Sequence, residues 1–440
     1  MLSGMEAEAN MGRSHGPVQR GLMRLVVRLH SASRFEVILA AMVLGATALM
    51  ASILVMDYLM SFHLPPSYGV LSLPSLALST NPRVPVSPGV TLFGIREFSR
   101  TCCEVGPTVY RRPTIRERNT QYFAGERSQY SYKLALQHFL QTEKQLARVF
   151  VPIAQLDEFI GDFFLRLPGN ARIVLITGQE DCGPSEVFGY SRNKCKLDMP
   201  MSLYEFVSDP RLAHWFAQNY DFGDVSNVAA YPQSAPRPNL PPNLLRKLSP
   251  LPIGVDFHTS AEKVYFSRES PKSQEAHLIS LANPKWSEKK QQILSVFTVA
   301  KERPDRLRLL EVQAGKEACV YSPGHVDKIK LWSMHQDQAF VFCPQGNGID
   351  THRIYEALIL GSVPVTISSP LDALYKQLPI IILDSWEDFD SCGRTEEWRQ
   401  EIIARFGSEP FEHPEVRRLL TLDYWVSVTF RKLVDANDAR

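Results

Sequence analysis

The sequence predicts an α/β protein built on parallel sheets with crossover helices. Residues 171–177, ARIVLIT, form a nearly continuous aliphatic run, the pattern of a strand buried on both faces of a parallel sheet. From residue 291 onward, strand-like and helix-like segments alternate, which favours parallel strands joined by helices that cross the sheet. Residues 339–384 show the unit most clearly as strand, glycine turn, helix, strand, helix, strand, with polar residues gathered at the first strand-to-helix junction.

In chain order, residues 1–36 are a basic arm, with Arg13, Arg20, Arg24, Arg28 and Arg34 set against Glu6, Glu8 and Glu36. Residues 37–56, VILAAMVLGATALMASILVM, carry no charge. At ~1.5 Å per residue such a helix spans the ~30 Å hydrocarbon core, so a transmembrane signal anchor is expected. The next basic residue is Arg83, and the positive-inside rule leaves the arm cytosolic and the body luminal. A cleaved signal peptide ending near Ala46-Thr47-Ala48 is one alternative and a mitochondrial presequence another. The apolar run continues past those small residues, and the leading arm is long for a signal peptide. Residues 57–120, rich in Pro and Ser, read as an extended stem, with an isolated strand near 90–95. The expected location is the Golgi membrane, as a single-pass type II protein.

The body divides at about residue 280 into segments 121–280 and 281–412, followed by a terminal helix over 413–440. In the first segment, helical patterns cover 130–150 and 156–165, and the strand at 171–177 runs into a polar loop at 178–189. A short helix is expected at 210–219, opened by Pro210, and a proline-rich connector at 231–252. In the second segment, helices are expected at 274–282, 303–313 and 326–336, with strands within 291–299 and at 319–322. Val416, Leu419, Leu420, Tyr424, Val428 and Leu433 recur at helical spacing near the end of the chain.

At the junction within 339–384, Phe340 to Cys343 form a short apolar run that Gly346-Asn347-Gly348 breaks. Asp350 is expected to cap a helix with apolar residues at Ile354, Ala357 and Leu358, and Gly361 to stop it before a strand at 363–367. A glycine turn lets backbone N–H groups approach a diphosphate, and the positive end of the helix favours that anion. Arg353 and Glu356 lie three apart, so one face offers donors to phosphate and a carboxylate to ribose hydroxyls; a plain surface ion pair is the alternative.

The order of Phe340, Pro344, Gly346, Gly348, Asp350, Arg353, Glu356, Ala357, Leu358, Gly361, Pro364 and Val365 resembles the donor-binding motif of exostosin-like glycosyltransferases. A weaker match runs from Trp215 to Asn219 and from Leu251 to Thr259, so the likeness spans roughly residues 171–390. The resemblance implies two Rossmann-like domains facing across a cleft (the GT-B arrangement) and a terminal helix that crosses back to the first domain. It also implies a nucleotide-sugar donor and transfer to a glycan or glycoprotein acceptor. A non-catalytic, membrane-anchored glycan-binding or assembly protein of the same fold is the alternative. Other Rossmann enzymes are disfavoured by the lack of G-x-G-x-x-G after an early strand.

Transfer needs a stabilised leaving diphosphate and a deprotonated acceptor hydroxyl. Arg353 is the expected diphosphate cation and Glu356 the ribose acceptor, with His352 either a second donor or a capping or packing residue, and Gly346, Asn347, Gly348 and Asp350 forming the turn. Ser368, Ser369 and Asp372 mark a second strand end where backbone N–H groups could reach the donor, a simple N-cap by Ser369 being the alternative; Asp181, with Glu180 and Ser185, lies on a loop suited to the acceptor, plain surface solvation being the alternative. Asp256 or His258 is the candidate general base, the alternative being a loop pair that holds the interdomain connection. Retention and inversion both remain open. The D-x-D at Asp388-Phe389-Asp390 reads as a solvated acidic face, so no metal or other cofactor is expected.

A net charge of +1 gives no basic field for nucleic acid. The seven cysteines lack zinc spacing; Cys182 and Cys195 flank a loop that a disulfide would staple, and free buried thiols are an equal alternative. An odd count leaves one thiol unpaired or shared between chains, which keeps homo- and hetero-oligomers open.

Overall fold

The structure is a computed structural model that describes residues 91–95, 98–99, 102–103, 132–141, 146–190, 195–223, 238–257, 270–283, 285–299, 304–324 and 326–438. The expected arm and span, most of the stem, and His258 lie outside them. No helix among the described residues is long and apolar enough to cross a membrane.

Two parallel sheets organise the chain. The first has strands β1 (Leu146–Pro152), β2 (Arg172–Gly178), β3 (Leu212–Ala217) and β4 (Leu248–Pro250), in that spatial order. Helices α1 (Tyr132–Gln141) and α2 (Leu156–Asp162) accompany it. The second has β5 (Lys290–Leu294), β6 (Val320–Tyr321), β7 (Gln338–Phe342), β8 (Val363–Ile367) and β9 (Ile381–Leu383), in the order β6-β5-β7-β8-β9. Its longer helices are α3 (Pro271–Leu281), α4 (Pro304–Gln313), α5 (Lys328–Met334), α6 (His352–Ile359) and α7 (Arg394–Phe406).

Side chains that alternate along a strand go to opposite faces. Val149, Val151, Ile173, Leu175, Trp215 and Ala217 therefore enter one core with Phe159 and Phe163 of the region around α2. Phe150, Val174, Ile176 and Phe216 face the other way, into a core continuous with the second sheet. That second core packs Phe340 and Phe342 of β7 with Trp286, Trp386 and Trp398.

The final helix, α8 (Leu422–Asp438), crosses back to β1, β2 and β3, as the resemblance implies. Arg148 of β1 lies 5.2 Å over the Phe430 ring and donates to the Val426 carbonyl at 3.4 Å. Residues 91–95 form a strip at this crossing. Phe93 N donates to Leu420 O at 2.8 Å, and Val255 N donates to Phe93 O at 2.9 Å. Glu275 Oε1 accepts from Thr91 N and Leu92 N, both at 2.6 Å. The strip approaches residue 254 so closely that a Cβ on Gly254, where φ is +66°, would lie 2.3 Å from Phe93 O.

Several elements differ from the sequence reading. The helical pattern over 130–150 ends at Gln141, and its last residues become β1, because LARVFVP is rich in β-branched and aromatic residues and pairs in register with β2. The helix expected at 210–219 is strand β3. Asp209 and Arg211 form the turn before it, and Trp215 Nε1 bonds Thr177 Oγ1 of β2 at 2.9 Å. The connector contains β4. The terminal helix is broken into Pro414–Leu419 and α8, with Thr421 between them bridging to Leu92.

Candidate active site

The glycine turn joins β7 to α6, and the loop leaving β3 meets it. Asn219, left-handed at φ +51°, accepts from Asp350 N at 3.0 Å and donates to Glu180 O at 2.9 Å. A Cβ on Gly348 would lie 2.5 Å from Asn219 Oδ1, so glycine is needed for this approach. Further along, a Cβ on Gly223 would sit 3.8 Å from Pro370, beside the turn that leaves β8. The carboxyl ends of strands from both sheets thus converge, the place where parallel α/β proteins bind ligands.

Asp350 does not cap the helix as expected. Thr351 stands at the N-cap, and the Asp350 carboxylate turns inward, only 4 % exposed. One oxygen accepts from Ile253 N at 2.8 Å and Tyr355 Oη at 2.9 Å; the other accepts from Thr351 N at 2.9 Å and Tyr375 Oη at 2.8 Å. Burial pushes this carboxyl up, and the four donors oppose that shift. The residue is a buried tie between α6 and the 251–257 segment that follows β4.

Arg353 and Glu356 are not paired with each other. Arg353 Nε is buried without a hydrogen-bond partner, and the residue has no ion pair among the described residues. Glu356, 6 % exposed, bonds through Oε1 to Lys328 Nζ at 3.1 Å. Lys328 Nζ also donates to Asp256 O at 2.7 Å. His352 Nδ1 lies 2.6 Å from Gly254 O; a carbonyl only accepts, so that nitrogen carries a proton. His352 Nε2 is 3.7 Å from Asp256 Oδ2. Asp256, His352, Arg353 and Glu356 therefore gather around the start of α6. Beneath them lies Cys343, a free thiol that burial pushes up to about 12, with Arg353 opposing and Glu356 adding.

Of the turn residues, Gly346 is partly exposed and Asn347 exposed. Arg306 of α4 supports the turn by donating to Gln345 O at 2.9 Å. Ser368, Ser369 and Asp372 form a closed local network rather than a row of open N–H groups. Ser368 Oγ and Ser369 N both bond Asp372 at 2.8 Å. Asp181 is exposed on the loop after β2, whereas Ser185 is buried and bound to Asp221, so it does not join Asp181 as an acceptor contact. Asp388 uses Oδ2 to cap Asp384 N and Ser385 N. The sequence reading missed Lys328 and Asn219. The left-handed conformation of Asn219, which asparagine tolerates better than most residues, shows only in the structure.

Among the described residues, Cys182, Glu186 and Cys195 form the only cluster with metal-ligand proximity, and its two thiols are joined as a disulfide. Cys319 pairs with Cys392 and Cys102 with Cys103.

No family model and no curated protein matches the chain. Among solved structures, it is similar to a UDP-forming α,α-trehalose-phosphate synthase from Burkholderia vietnamiensis, at 11 % identity over 73 % of this chain and 82 % of that one, with a TM-score of 0.37. The corresponding synthase from Burkholderia multivorans gives 10 %, 74 %, 80 % and 0.36. TarM gives 10 %, 70 %, 58 % and 0.31. Likenesses at these scores carry no argument about this chain.

Proposed function

We propose that this protein is an exostosin-like glycosyltransferase that moves a sugar from a nucleotide-sugar donor to a glycan or glycoprotein acceptor in the secretory pathway. The observation that carries the reading is the separation of Arg353 from Glu356. A surface pair at this spacing would neutralise itself, yet among the described residues Arg353 has no ion pair and its Nε no hydrogen-bond partner, while the carboxylate is held by Lys328, both beside a glycine turn that faces a second strand end. Arg353 then takes the diphosphate, and the start of α6 adds its backbone N–H groups. Glu356 takes the ribose hydroxyls. As the sugar leaves, negative charge grows on the diphosphate, so the contact with Arg353 strengthens in the transition state and needs no metal. Asp256, next to His352, is the carboxylate placed to accept the acceptor's proton, with His258 the neighbouring alternative.

In this reading, residues 121–280 form the acceptor-side domain and 281–412 the donor domain, with the cleft between strand ends. Residues 37–56 anchor the protein in the Golgi membrane with the body luminal, where an oxidising lumen suits the three disulfides. The test is a thermal-shift screen with nucleoside diphosphates, since a bound ligand raises the melting temperature according to its affinity and concentration. The nucleotide that binds names the donor class for a transfer assay. A protein stabilised by none of them at millimolar concentration refutes the reading. Protease added to sealed vesicles is expected to spare the domain after residue 120, and its digestion without detergent would reverse the topology.

A further inference from the structure

Lys328 is the first residue of α5, where the positive end of the helix disfavours a cation. Its ammonium is nonetheless fixed on three sides, 2.7 Å from Asp256 O, 3.1 Å from Glu356 Oε1 and 5.1 Å from the Trp332 ring centroid. Holding so flexible a side chain in one geometry costs conformational entropy, so the arrangement needs a compensating role. Glu356 is almost wholly buried, and a carboxylate taken out of water is costly to leave without a partner. Arg353, one turn away, does not supply that partner. Lys328 occupies one oxygen of Glu356.

We propose that Lys328 is a positioning residue for the nucleotide-sugar donor. It fixes one oxygen of Glu356 and leaves the second for the two ribose hydroxyls, and through Asp256 O it locks the 251–257 segment against α6. The inference rests on the donor-site reading above and adds to it a residue that the sequence motif does not contain.

The test separates ribose recognition from general binding. Affinities of uridine diphosphate and guanosine diphosphate, and of their dideoxyribose counterparts, are measured by calorimetry for the parent, Lys328→Met and Lys328→Arg. Methionine keeps a stem to cover Trp332 but removes the charge. For whichever base binds the parent, Lys328→Met is expected to weaken the ribose nucleotide about tenfold and leave the dideoxyribose nucleotide within about twofold. Lys328→Arg is expected to lose about threefold, again on the ribose form alone, because a planar fork cannot reproduce a point contact to both oxygens. This second variant carries the test if circular dichroism shows that the first does not fold. Equal losses on both nucleotides, or none on either, would overturn the role of Lys328 while leaving the donor site standing. A parent that binds no nucleoside diphosphate would overturn both.

Discussion

Replacing Asp350 by alanine is expected to cost about 4 kcal/mol of folding stability. Its carboxylate accepts four hydrogen bonds, from Ile253 N, Tyr355 Oη, Thr351 N and Tyr375 Oη. Each typically contributes about 1 kcal/mol net, and each buried donor left without an acceptor costs a further ~1–3 kcal/mol. The four net contributions sum to about 4 kcal/mol, and the penalty on the stranded donors is offset by relief from burying a charge, which is several kcal/mol for one ion. Asp350→Asn keeps one oxygen and turns an amide toward the other pair of donors. A tyrosine hydroxyl can rotate to accept from that amide but a backbone N–H cannot, so about 2 kcal/mol is expected. Tyr355→Phe and Tyr375→Phe each remove one donor and are expected to cost about 1 kcal/mol. The assay is urea unfolding followed by tryptophan fluorescence, with free energies taken from midpoint and slope. An alanine variant within about 1 kcal/mol of the parent, or an asparagine variant weaker than alanine, would refute the hub assignment.

Arg353→Ala, checked for fold by circular dichroism, is expected to lower donor turnover about a hundredfold, since one charge-assisted contact in the transition state is worth roughly 2–4 kcal/mol. Glu356→Gln should act mainly on nucleotide affinity, and parent-rate transfer by both folded variants would return the protein to a binding role. Burial raises Asp221 from 3.8 to about 7, so between those values the folded state holds a proton that the unfolded state has lost, and stability falls as pH rises through that window. Asp221→Asn can keep both contacts to Ser185 and is expected to abolish this slope. Burial lowers His214 and His335 to about 3 and acts in the opposite sense below pH ~6.5, so the informative quantity is the variant minus the parent at each pH. The Cys319–Cys392 disulfide closes a loop of 73 residues, and replacing both cysteines by serine is expected to cost about 2–4 kcal/mol in denaturant midpoint measurements.

Local pattern was enough to read the second sheet's central unit. The strand at 363–367, the helix beginning beside residue 352 and its stop at Gly361, where φ is +78°, follow from apolar periodicity and from glycine's tolerance of the left-handed region. The buried strand at β2 was legible because both its faces are apolar. The run LAHWFA at β3 was not, since six apolar-rich residues fit a helix turn or a strand equally, and pairing with β2 decides between them. The motif likewise located Arg353 and Glu356 but not what holds them. Asp350 looked like a cap because a carboxylate before a helix usually is one. Besides the adjacent Thr351 N, its donors come from residue 253 and from two tyrosines, one of them 25 positions further on. Lys328 and Asn219 lie 28 and 131 positions from their partners Glu356 and Asp350. Sequence determines which groups a segment can offer, because backbone preference and periodicity act over a few residues. Which group meets which charge was decided only when strand pairing brought distant segments together at the mouth of the two sheets.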